Sequence, residues 1–389
     1  MMAPRIALVA NSDWYLFHFR GDLARELRDR WGAEVLCVSP DGPYRARLQA
    51  GGFQWAPLRL CRQGLNPFQE LLALQDLTRL YRGFRPDLVH HFTLKPVLYG
   101  SLAAARTGVP RVVNALAGLG TVFSGTTARG RWLRYPVSLA LKRVMGRRGS
   151  LCILQNPEDA ALVQGLLLGR AGLVRLIRGS GVDTARFSPS PHREDARVVL
   201  FVGRMLKDKG VPEFCAAAAL LQARAPQLEF WAVGAVDPGN PGSLSEAELA
   251  RLGRRSSNLR FLGHQEAMAE LYRKALVLVL PTRYGEGVPR SLLEGAACGL
   301  PLIATDHPGC REIVRPGVNG FLVPPGDPGA IAACVLALAA DPARRQRLGR
   351  ESRRIAVEGF GFEQVFRSTM QVYEELGLTF DPLEQGVHS

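Results

Sequence analysis

The stretch YGEGVPRSLLEGAACGLPLIA, residues 284–304, carries two glutamates at an unusual spacing. Two acids on one face of a helix stand three or four residues apart, whereas Glu286 and Glu294 stand eight apart. Pro289 suits the first position of a helix, and Gly299 suits the residue after its end. We therefore expect Glu286 on a loop and Glu294 in the second turn of a short helix, with the helix N-terminus between them.

A helix N-terminus between two carboxylates predicts the shape of a ligand. The unpaired N–H groups at a helix start favour an anion such as a phosphate. Carboxylates accept hydrogen bonds from hydroxyl groups. The stretch thus suits a ligand with phosphates in its middle and a hydroxyl-rich part at each end. The spacing is equally compatible with an ordinary loop acid followed by an ordinary helix acid.

Strand-like and helix-like runs alternate along the chain, as in RIALVA, FRGDLARELRDRW and AEVLCVSP. This alternation predicts α/β domains with parallel sheets flanked by helices. It is interrupted at residues 179–197, which are rich in Gly, Ser, Pro and charge and are interpreted as a linker. The chain is therefore divided into a first domain, 1–178, and a second, 198–360. A last helix-like segment, about 361–389, is expected to pack back on either domain.

Composition places the chain among soluble globular proteins. It has 389 residues, of which 47% are hydrophobic and 22% charged. The seven cysteines are scattered without a CxxC pair, which indicates neither a zinc site nor a disulfide framework and favours a reducing, cytoplasmic compartment. Ile6–Ala10 is too short for the apolar core of a signal peptide and predicts a first strand. The longest apolar run, residues 330–340, is too short to span a bilayer.

The net charge of +14 is concentrated in the first part of the chain. Residues 1–180 contain 25 Lys and Arg against 11 Asp and Glu, whereas the remainder contains 24 of each. Between Asp87 and Glu158 there is no acid, while ten Lys or Arg fall there. This distribution predicts a surface for an anionic partner: lipid head groups, phosphates or nucleic acid.

One segment within this basic region mixes cations with apolar side chains: ARGRWLRYPVSLALKRVMGRR, residues 128–148. A basic amphipathic helix of this kind is suited to a membrane interface. The alternative is a helix that packs on the core and exposes a basic face. The absence of acids around it favours an anionic membrane surface. The predicted membrane-facing residues are Arg131, Trp132, Arg134, Lys142 and Arg143.

A second motif of the later half is VGRMLKDKG, residues 202–210, which directly follows a strand-like run. A small residue such as Gly203 at the carboxyl end of a strand lets a ligand approach the backbone. Arg204 offers a planar fork for phosphate oxygens, and Lys209 offers a mobile point charge. The alternative is that both are solvated cations at the start of a helix.

Taken together, these motifs resemble glycosyltransferase family 4, a retaining family with the GT-B fold. EGVPRSLLE looks like its E-x7-E motif, VGRMLKDKG its diphosphate-binding segment and GVDTARFSP its interdomain signature. RFLGH, GCREIV and GVNGFLVPPGD follow in the expected order, so the resemblance runs nearly end to end. NSDWYLFHFRGDLARELR, LNPF and NALAGLG look closest to bacterial enzymes that extend sugars on a polyprenyl diphosphate. The resemblance implies two Rossmann-like domains facing across a cleft.

The resemblance also implies roles for individual residues of the second domain. Glu294 would hold the ribose of a nucleotide sugar, Arg204 and Lys209 its diphosphate, and backbone near Leu262 its base. Glu286 would hold the donor sugar, together with neighbouring backbone amides. The implied donor-binding set is Gly203, Arg204, Lys209, Leu262, Gly287, Val288, Arg290, Glu294 and Asn11 of the first domain.

The first domain supplies candidates for catalysis. His91 and Lys95, in LVHHFTLKP at the end of a strand-like run, are predicted to stand at the front of the active site beside Glu286. Only one of His90 and His91 is expected to face the cleft, because side chains alternate along a strand. A single strand histidine is also compatible with a purely structural role.

The acceptor is expected to contact other parts of the first domain. His18 and Arg20 would meet its diphosphate, while Gly118 and Gly120 would allow its close approach to the backbone. The alternative for the first pair is a packed histidine and a surface arginine. Ala117 stands where relatives often place His or Glu, which removes a candidate polar contact to the donor sugar.

The expected activity is retaining transfer of a hexose or N-acetylhexosamine from a nucleotide sugar, with UDP the expected nucleotide, to a polyprenyl-diphosphate-linked glycan. The protein would act on the inner face of the cell membrane, in bacterial surface polysaccharide or glycan assembly. No D-x-D motif occurs, so neither a metal nor a cofactor is expected. The alternatives are a transferase with a soluble acceptor and a nucleotide-sugar 2-epimerase of the same fold. Nucleic-acid binding is not favoured, because aromatic-interleaved RNA motifs are lacking.

Overall fold

The computed structural model describes residues 3–62, 64, 66–118, 128–167, 171–190 and 196–379, with the backbone alone at residues 128–133. The chain divides into two compact units. The first comprises Met1–Ile177 together with Phe366–Ser389, and the second comprises Arg178–Val365. Each unit has its own parallel sheet, so each is a Rossmann-like α/β domain.

The first unit is built on a seven-stranded sheet. Its strands are β1 (Arg5–Val9), β2 (Glu34–Ser39), β3 (Gln54–Pro57), β4 (Leu88–Phe92), β5 (Arg111–Leu116), β6 (Ser150–Leu154) and β7 (Val174–Leu176). They lie in the order β3-β2-β1-β4-β5-β6-β7, and every pairing is parallel. β4 is central and buried at all its residues, because helices cover both faces of such a sheet.

Helices connect these strands, and polar caps start several of them. They are α1 (Asp13–Tyr15), a π-helical turn (Leu16–Arg20), α2 (Gly21–Asp29), α3 (Arg45–Ala50), α4 (Pro67–Phe84), α5 (Leu94–Thr107), α6 (Ala128–Met145), α7 (Pro157–Leu166) and a 3-10 turn (Ala171–Leu173). Asn66 and Asn156 cap α4 and α7, each followed by a proline whose fixed φ suits the first turn.

The second unit has a six-stranded parallel sheet. Its strands are β8 (Val198–Val202), β9 (Glu229–Val233), β10 (Leu259–Gly263), β11 (Ala275–Leu280), β12 (Leu302–Thr305) and β13 (Gly320–Val323). Its helices are a 3-10 turn (Lys207–Lys209), α8 (Val211–Leu221), α9 (Glu246–Gly253), α10 (Met268–Lys274), α11 (Arg290–Ala297), α12 (Pro308–Arg311), α13 (Pro328–Ala340) and α14 (Pro342–Phe360). The strand order is β10-β9-β8-β11-β12-β13, with β8 and β11 adjacent at its centre.

The last helix, α15 (Phe362–Glu375), brings the end of the chain to the first unit. Its Tyr373 is fully buried, and the Tyr373 hydroxyl lies 2.8 Å from Nδ1 of His90 on β4. Arg111 of β5 donates hydrogen bonds to the carbonyl oxygens of Leu376 and Gly377, at 3.1 and 2.8 Å. The core of the first unit is therefore completed by residues almost three hundred positions away from β4.

His91 of β4 belongs to a buried network of hydrogen-bonded side chains in the first unit. His91 lies 2.8 Å from the hydroxyl of Tyr81 through Nε2 and 2.9 Å from Oδ1 of Asn114 through Nδ1. Gly100 makes room for the ring, because a Cβ there would stand 2.4 Å from Nε2. Burial lowers the pKa of His91 to about 4, and the hydrogen bond to Asn114 offsets part of that shift. His91 is therefore neutral in the folded protein near pH 7.

No helix among the described residues has both the length and the apolar character needed to cross a membrane.

The buried His91 predicts a loss of stability in mild acid. The unfolded chain binds a proton at this residue near pH 6.5, whereas the folded chain excludes it down to about pH 4. The free energy of unfolding should therefore fall as the pH drops through that window, by at most about 3 kcal/mol from His91. The pKa of His90 is shifted in the same direction, chiefly by burial and also by Arg20, and adds to the loss.

Urea unfolding of the wild type and of His91→Gln, followed between about pH 7 and pH 5, measures this effect. The wild type should lose stability more steeply than the variant, because only the wild type takes up this proton on unfolding. Equal pH slopes for the two proteins would contradict the prediction.

Candidate functional site

The loops that follow β8 and β11 are locked together by a close backbone approach. Gly210 has a φ of 79°, and a Cβ there would lie 1.9 Å from the carbonyl oxygen of Pro281. The amide of Arg283 donates to the carbonyl oxygen of Asp208 at 2.7 Å, and the hydroxyl of Thr282 donates to the same oxygen at 3.2 Å. Only glycine permits this contact, which brings both loops to the carboxyl edge of the sheet.

This contact brings Lys209 and Glu286 into an ion pair through Nζ and Oε2. The two side chains are only 12% and 15% exposed. Burial acts to lower the pKa of Lys209, but the carboxylate of Glu286 and its hydrogen bond outweigh burial and hold that pKa above its usual value. The other carboxylate oxygen of Glu286, Oε1, is buried with no hydrogen-bond partner among the described residues. This oxygen therefore still lacks a hydrogen-bond donor in the described part of the chain.

The second glutamate of the stretch is held differently. Oε1 of Glu294 accepts from Nε of Arg290 at 2.9 Å, and Oε2 accepts from the hydroxyl of Tyr272 at 3.0 Å. Burial is the main cause that holds the pKa of Tyr272 well above its usual value, and the negative charge of Glu294 is the second. The hydroxyl therefore keeps its proton. Tyr272 lies 22 positions before Glu294, and no sequence signal had singled it out. The pair fixes the Glu294 carboxylate while leaving lone pairs on both oxygens.

The short helix between the glutamates begins one residue later than predicted. Pro289 is the N-cap in an extended conformation, and α11 starts at Arg290. Glu294 lies in the second turn, and Glu286 lies outside the helix, as the sequence indicated. Nothing caps the helix from its own N-cap side chain, since proline has no side-chain acceptor.

The structure also defines the surroundings of three other predicted donor-binding residues. Arg204 donates from Nη1 to Oδ2 of Asp237 at 2.5 Å, an acid that follows β9 and was not identified from the sequence. Gly203 is approached closely by Gly234, where a Cβ would lie 1.9 Å from the Gly203 carbonyl oxygen. Leu262 lies at a register shift of β10, where an extra residue leaves the regular ladder.

Gly287 and Val288 are held from both sides. The start of α12 is in close backbone contact with the loop that contains Gly287, since a Cβ on Gly309 would lie 2.1 Å from the carbonyl oxygen of Gly287. Val288 is buried and packs against the backbone of Gly179. The backbone around the first glutamate is therefore rigidly supported.

The end of β12 contributes polar groups that the sequence did not single out. The Oγ1 atom of Thr305 and the Nε2 atom of His307 are buried with no hydrogen-bond partner among the described residues. Burial is the main cause that lowers the pKa of His307, while the carboxylate of Glu286 acts on it in the opposite sense. His307 therefore lies within the electrostatic reach of Glu286. Its signal in the sequence was only a histidine directly after a strand.

The structure corrects the predicted exposure of two first-domain candidates. His91 is fully buried and its two ring nitrogens are occupied, so it does not stand at the front of a site. Nζ of Lys95 donates to the carbonyl oxygen of Cys61 at 2.7 Å and pairs with Glu70. Both side chains belong to internal networks of the first unit.

His18 and Arg20, the two predicted acceptor-binding side chains of the first domain, have different surroundings. The ring of His18 lies in an aromatic cluster, with its centroid 4.8 Å from Tyr44 and 5.1 Å from Trp14. Arg20 is buried over the ring of Phe92, at 4.4 Å from the centroid. Arg20 is therefore buried rather than a surface arginine, and this position does not support its predicted contact with the acceptor's diphosphate.

The remaining first-domain candidates are glycines and Asn11. Asn11 follows β1 and is half-buried. Gly118 follows β5 with a φ of 92°, a conformation that glycine adopts without strain. Gly120 lies outside the described residues.

Helix α6 has both a core-facing side and an exposed side. Arg134, Lys142 and Arg143 are exposed, together with the apolar side chains of Tyr135 (79%) and Leu139 (59%). The side chains of Arg131 and Trp132 lie outside the described part of the helix. The helix packs on the core through Leu141, Val144 and Met145.

A separate cavity of about 370 Å³ lies elsewhere in the second unit. Of its cations, Arg178 pairs with Glu312 at 2.5 Å, and Arg354 pairs with Glu358 at 2.7 Å. Glu286 and Glu294 are not among its lining residues. The carboxyl edge of the sheet, with its open carboxylate and histidine nitrogen, is the better candidate site.

Comparison with known proteins identifies two family models. Glycosyl transferase 4-like matches residues 5–145, and Glycosyl transferases group 1 matches residues 196–341. The chain is 26% identical over 330 residues to the N,N'-diacetylbacillosaminyl-diphospho-undecaprenol alpha-1,3-N-acetylgalactosaminyltransferase of Campylobacter jejuni, covering 82% of this chain and 84% of that protein. It is 31% identical over 330 residues to the D-inositol 3-phosphate glycosyltransferase of Streptomyces avermitilis, covering 79% and 70%.

Among solved structures, Anabaena HepE in complex with UDP and glucose has a TM-score of 0.78 to this chain. The two are 19% identical, and the match covers 96% of this chain and 100% of the other. At this level of identity the likeness shows the fold.

The Lys209–Glu286 pair predicts a coupled effect on stability. Lys209→Met leaves a buried carboxylate without its cation and should lower the free energy of unfolding by about 3 kcal/mol. Glu286→Gln should also destabilise, because it leaves the ammonium group unpaired. The double variant removes both charges and should recover most of the loss. Urea or thermal unfolding of the four proteins measures the coupling.

The exposed pair Arg354–Glu358, with side chains 48% and 60% exposed, provides the control. Glu358→Gln should leave the free energy of unfolding nearly unchanged, because exposed pairs are well solvated. If the two single losses at Lys209 and Glu286 simply add in the double variant, the pair is not coupled and the prediction is wrong.

Proposed function

Because this chain belongs to the group 1 and 4-like glycosyltransferases and has the GT-B fold, we propose that it moves a hexose or N-acetylhexosamine from a UDP-sugar to a polyprenyl-diphosphate-linked sugar. Transfer retains the anomeric configuration. The protein works as a peripheral enzyme at the inner face of the cell membrane, in surface polysaccharide or glycan assembly. No metal or other cofactor takes part.

The observation that carries the proposal is the pair of differently held carboxylates around one helix start. Glu294 is fixed by Tyr272 and Arg290, and its remaining lone pairs accept hydrogen bonds from the ribose hydroxyls. Glu286 keeps one buried oxygen open for a hydroxyl of the transferred sugar. The N-terminus of α11 lies between them and favours the diphosphate.

Cations of the second unit stabilise the leaving group. The bond between the anomeric carbon and the β-phosphate oxygen breaks, and its electron pair stays on that oxygen. Lys209, which has three N–H donors, keeps one for Glu286 and turns the others to the diphosphate. Arg204 acts with it from the loop after β8. These fixed charges offset the negative charge that develops on the phosphate, which is the part a metal plays in other transferases.

The acceptor hydroxyl forms the new bond on the face that the diphosphate leaves, and its proton passes to a phosphate oxygen. Within the first domain, Asn11, His18 and the backbone at Gly118 are the contacts we propose for the substrates. His91, Lys95 and Arg20 support the first unit from inside and are left out of these roles.

A lipid-linked acceptor is favoured by the basic first half of the chain and by helix α6. Exposed apolar and cationic side chains alternate on this helix, which suits an anionic bilayer surface. The Campylobacter relative is named for an undecaprenol-linked acceptor. The second candidate is a soluble acceptor, because the Streptomyces relative is named for D-inositol 3-phosphate.

A transfer assay tests the function directly. The protein is incubated with a panel of UDP-sugars and a polyprenyl-diphosphate sugar, and the lipid-linked product is analysed by mass spectrometry. One donor should extend the glycan by a single sugar, with activity retained in EDTA. Glu294→Ala should weaken UDP binding on the order of tenfold, because the ribose loses a charged acceptor.

Transfer to D-inositol 3-phosphate, without transfer to the lipid-linked sugar, would replace the acceptor in the proposal. No transfer from any donor to either acceptor would overturn the function. Complete loss of activity in EDTA would contradict the metal-free mechanism.

Membrane association has its own test. Replacing Arg134, Lys142 and Arg143 by Gln should reduce binding to vesicles containing phosphatidylglycerol by up to about a hundredfold, because each cation near an anionic surface contributes about 1 kcal/mol. Sedimentation with anionic vesicles measures the loss, and neutral phosphatidylcholine vesicles show its charge dependence.

The matched control neutralises three exposed arginines of the second unit, Arg251, Arg254 and Arg255. This control should leave vesicle binding nearly unchanged. Equal losses in both triple variants would show that only total charge matters and would contradict a binding surface on α6.

A further inference from the structure

The end of β12 lies against the loop that carries Glu286. A Cβ on Gly309 would stand 2.4 Å from the carbonyl oxygen of Glu286, so the start of α12 and this loop are in backbone contact. His307 is the residue before α12, and the Glu286 carboxylate acts on its ring charge. The imidazole therefore belongs to the surroundings of Glu286, although 21 positions separate the two in sequence.

The hydrogen bonding of the ring defines which nitrogen carries the proton. A backbone hydrogen bond at Arg283 acts to raise the pKa of His307, as a carbonyl acceptor does, and Nε2 has no partner among the described residues, so this bond falls to Nδ1. A backbone carbonyl oxygen only accepts, so Nδ1 is the donor. Burial keeps the pKa of His307 below its usual value, and the ring is neutral near pH 7. Nε2 of the neutral tautomer is then an acceptor with a free lone pair.

Two buried acceptors thus lie on segments whose backbones are in contact, and neither has a donor among the described residues. One is Nε2 of His307, and the other is Oε1 of Glu286, whose second oxygen is taken by Lys209. A buried polar atom without a hydrogen-bond partner is destabilising, so such atoms in a native structure call for an explanation. A ligand that satisfies both must bring two neighbouring hydrogen-bond donors. Hydroxyl groups on a sugar ring fulfil this requirement, whereas phosphate oxygens do not.

We propose that Nε2 of His307 accepts a hydrogen bond from a hydroxyl group of the transferred sugar, beside the hydroxyl that Glu286 binds, and so selects donors with a free hydroxyl at that position. This inference rests on the proposed function and adds a specificity-determining residue to it. The nucleotide part of the donor does not touch His307. Thr305, whose Oγ1 is also buried and without a partner in the described residues, lies at the end of the same strand.

The test separates sugar recognition from nucleotide recognition. Affinities for the preferred UDP-sugar and for UDP alone are measured by calorimetry, and kcat/KM is measured with that donor and with its deoxy analogues. His307→Ala should weaken UDP-sugar binding and lower kcat/KM on the order of tenfold, because one hydroxyl loses its acceptor. UDP alone should bind with unchanged affinity. His307→Gln, whose amide oxygen reaches the place of Nε2, should recover part of the loss.

The deoxy analogues give the readout that a merely structural role would not produce. With the analogue that lacks the recognised hydroxyl, the wild type and His307→Ala should react at the same rate, whereas the other analogues should keep the difference. Arg350→Gln, at an exposed position of α14, serves as the control and should leave both affinities unchanged.

An equal loss of UDP affinity in His307→Ala would show that the residue only supports the loop, and would overturn the inference. Unchanged kcat/KM with the parent donor would overturn it as well. If the wild type binds no UDP-sugar at all, the proposed function itself fails. If it binds one and the His307 variants bind it equally well, this inference alone fails.

Discussion

The contact between Gly210 and Pro281 is the constraint on which the site depends. A side chain at position 210 would collide with the carbonyl oxygen of Pro281, so only glycine lets the loops after β8 and β11 meet. Their meeting buries Lys209 beside Glu286, and each charge compensates the other. The ion pair in turn leaves the other oxygen of Glu286 buried and without a donor among the residues that the structure describes. The chemistry proposed here follows from that one close approach.

The two glutamates of one short stretch acquire different roles from their surroundings. Glu294 is braced by a buried tyrosine and by Arg290, so its carboxylate has a defined direction. Glu286 is held by a cation on one oxygen only, and the neutral His307 ring, on a segment in backbone contact with the Glu286 loop, adds a second buried acceptor without a partner among the described residues. One acid thus suits the fixed hydroxyls of a ribose, and the other suits a sugar that must be selected and transferred.

In the first unit, the sequence did not predict which side chains of the central strand are buried. Alternation along β4 predicted that only one of its two histidines faces the cleft. Both are buried, because a central strand of a parallel sheet is covered on both faces, and α15 supplies the covering tyrosine for His90. His91 and Arg20 carry polar groups into that core, where Asn114, Tyr81 and the ring of Phe92 receive them.

The sequence by itself determined the α/β class, the two parallel-sheet domains, and the loop and helix positions of Glu286 and Glu294. These features depend on local patterns, such as alternation of apolar runs and the helix signals at Pro289 and Gly299. Such patterns involve residues that are close in sequence, so the sequence alone predicts them. Tertiary structure alone decided the partners: Tyr272 for Glu294, Asp237 for Arg204, and His307 beside Glu286. These side chains come together because the ends of strands that are distant in sequence pack side by side in the sheet. The distance between two side chains in the fold therefore cannot be read from their separation in the sequence.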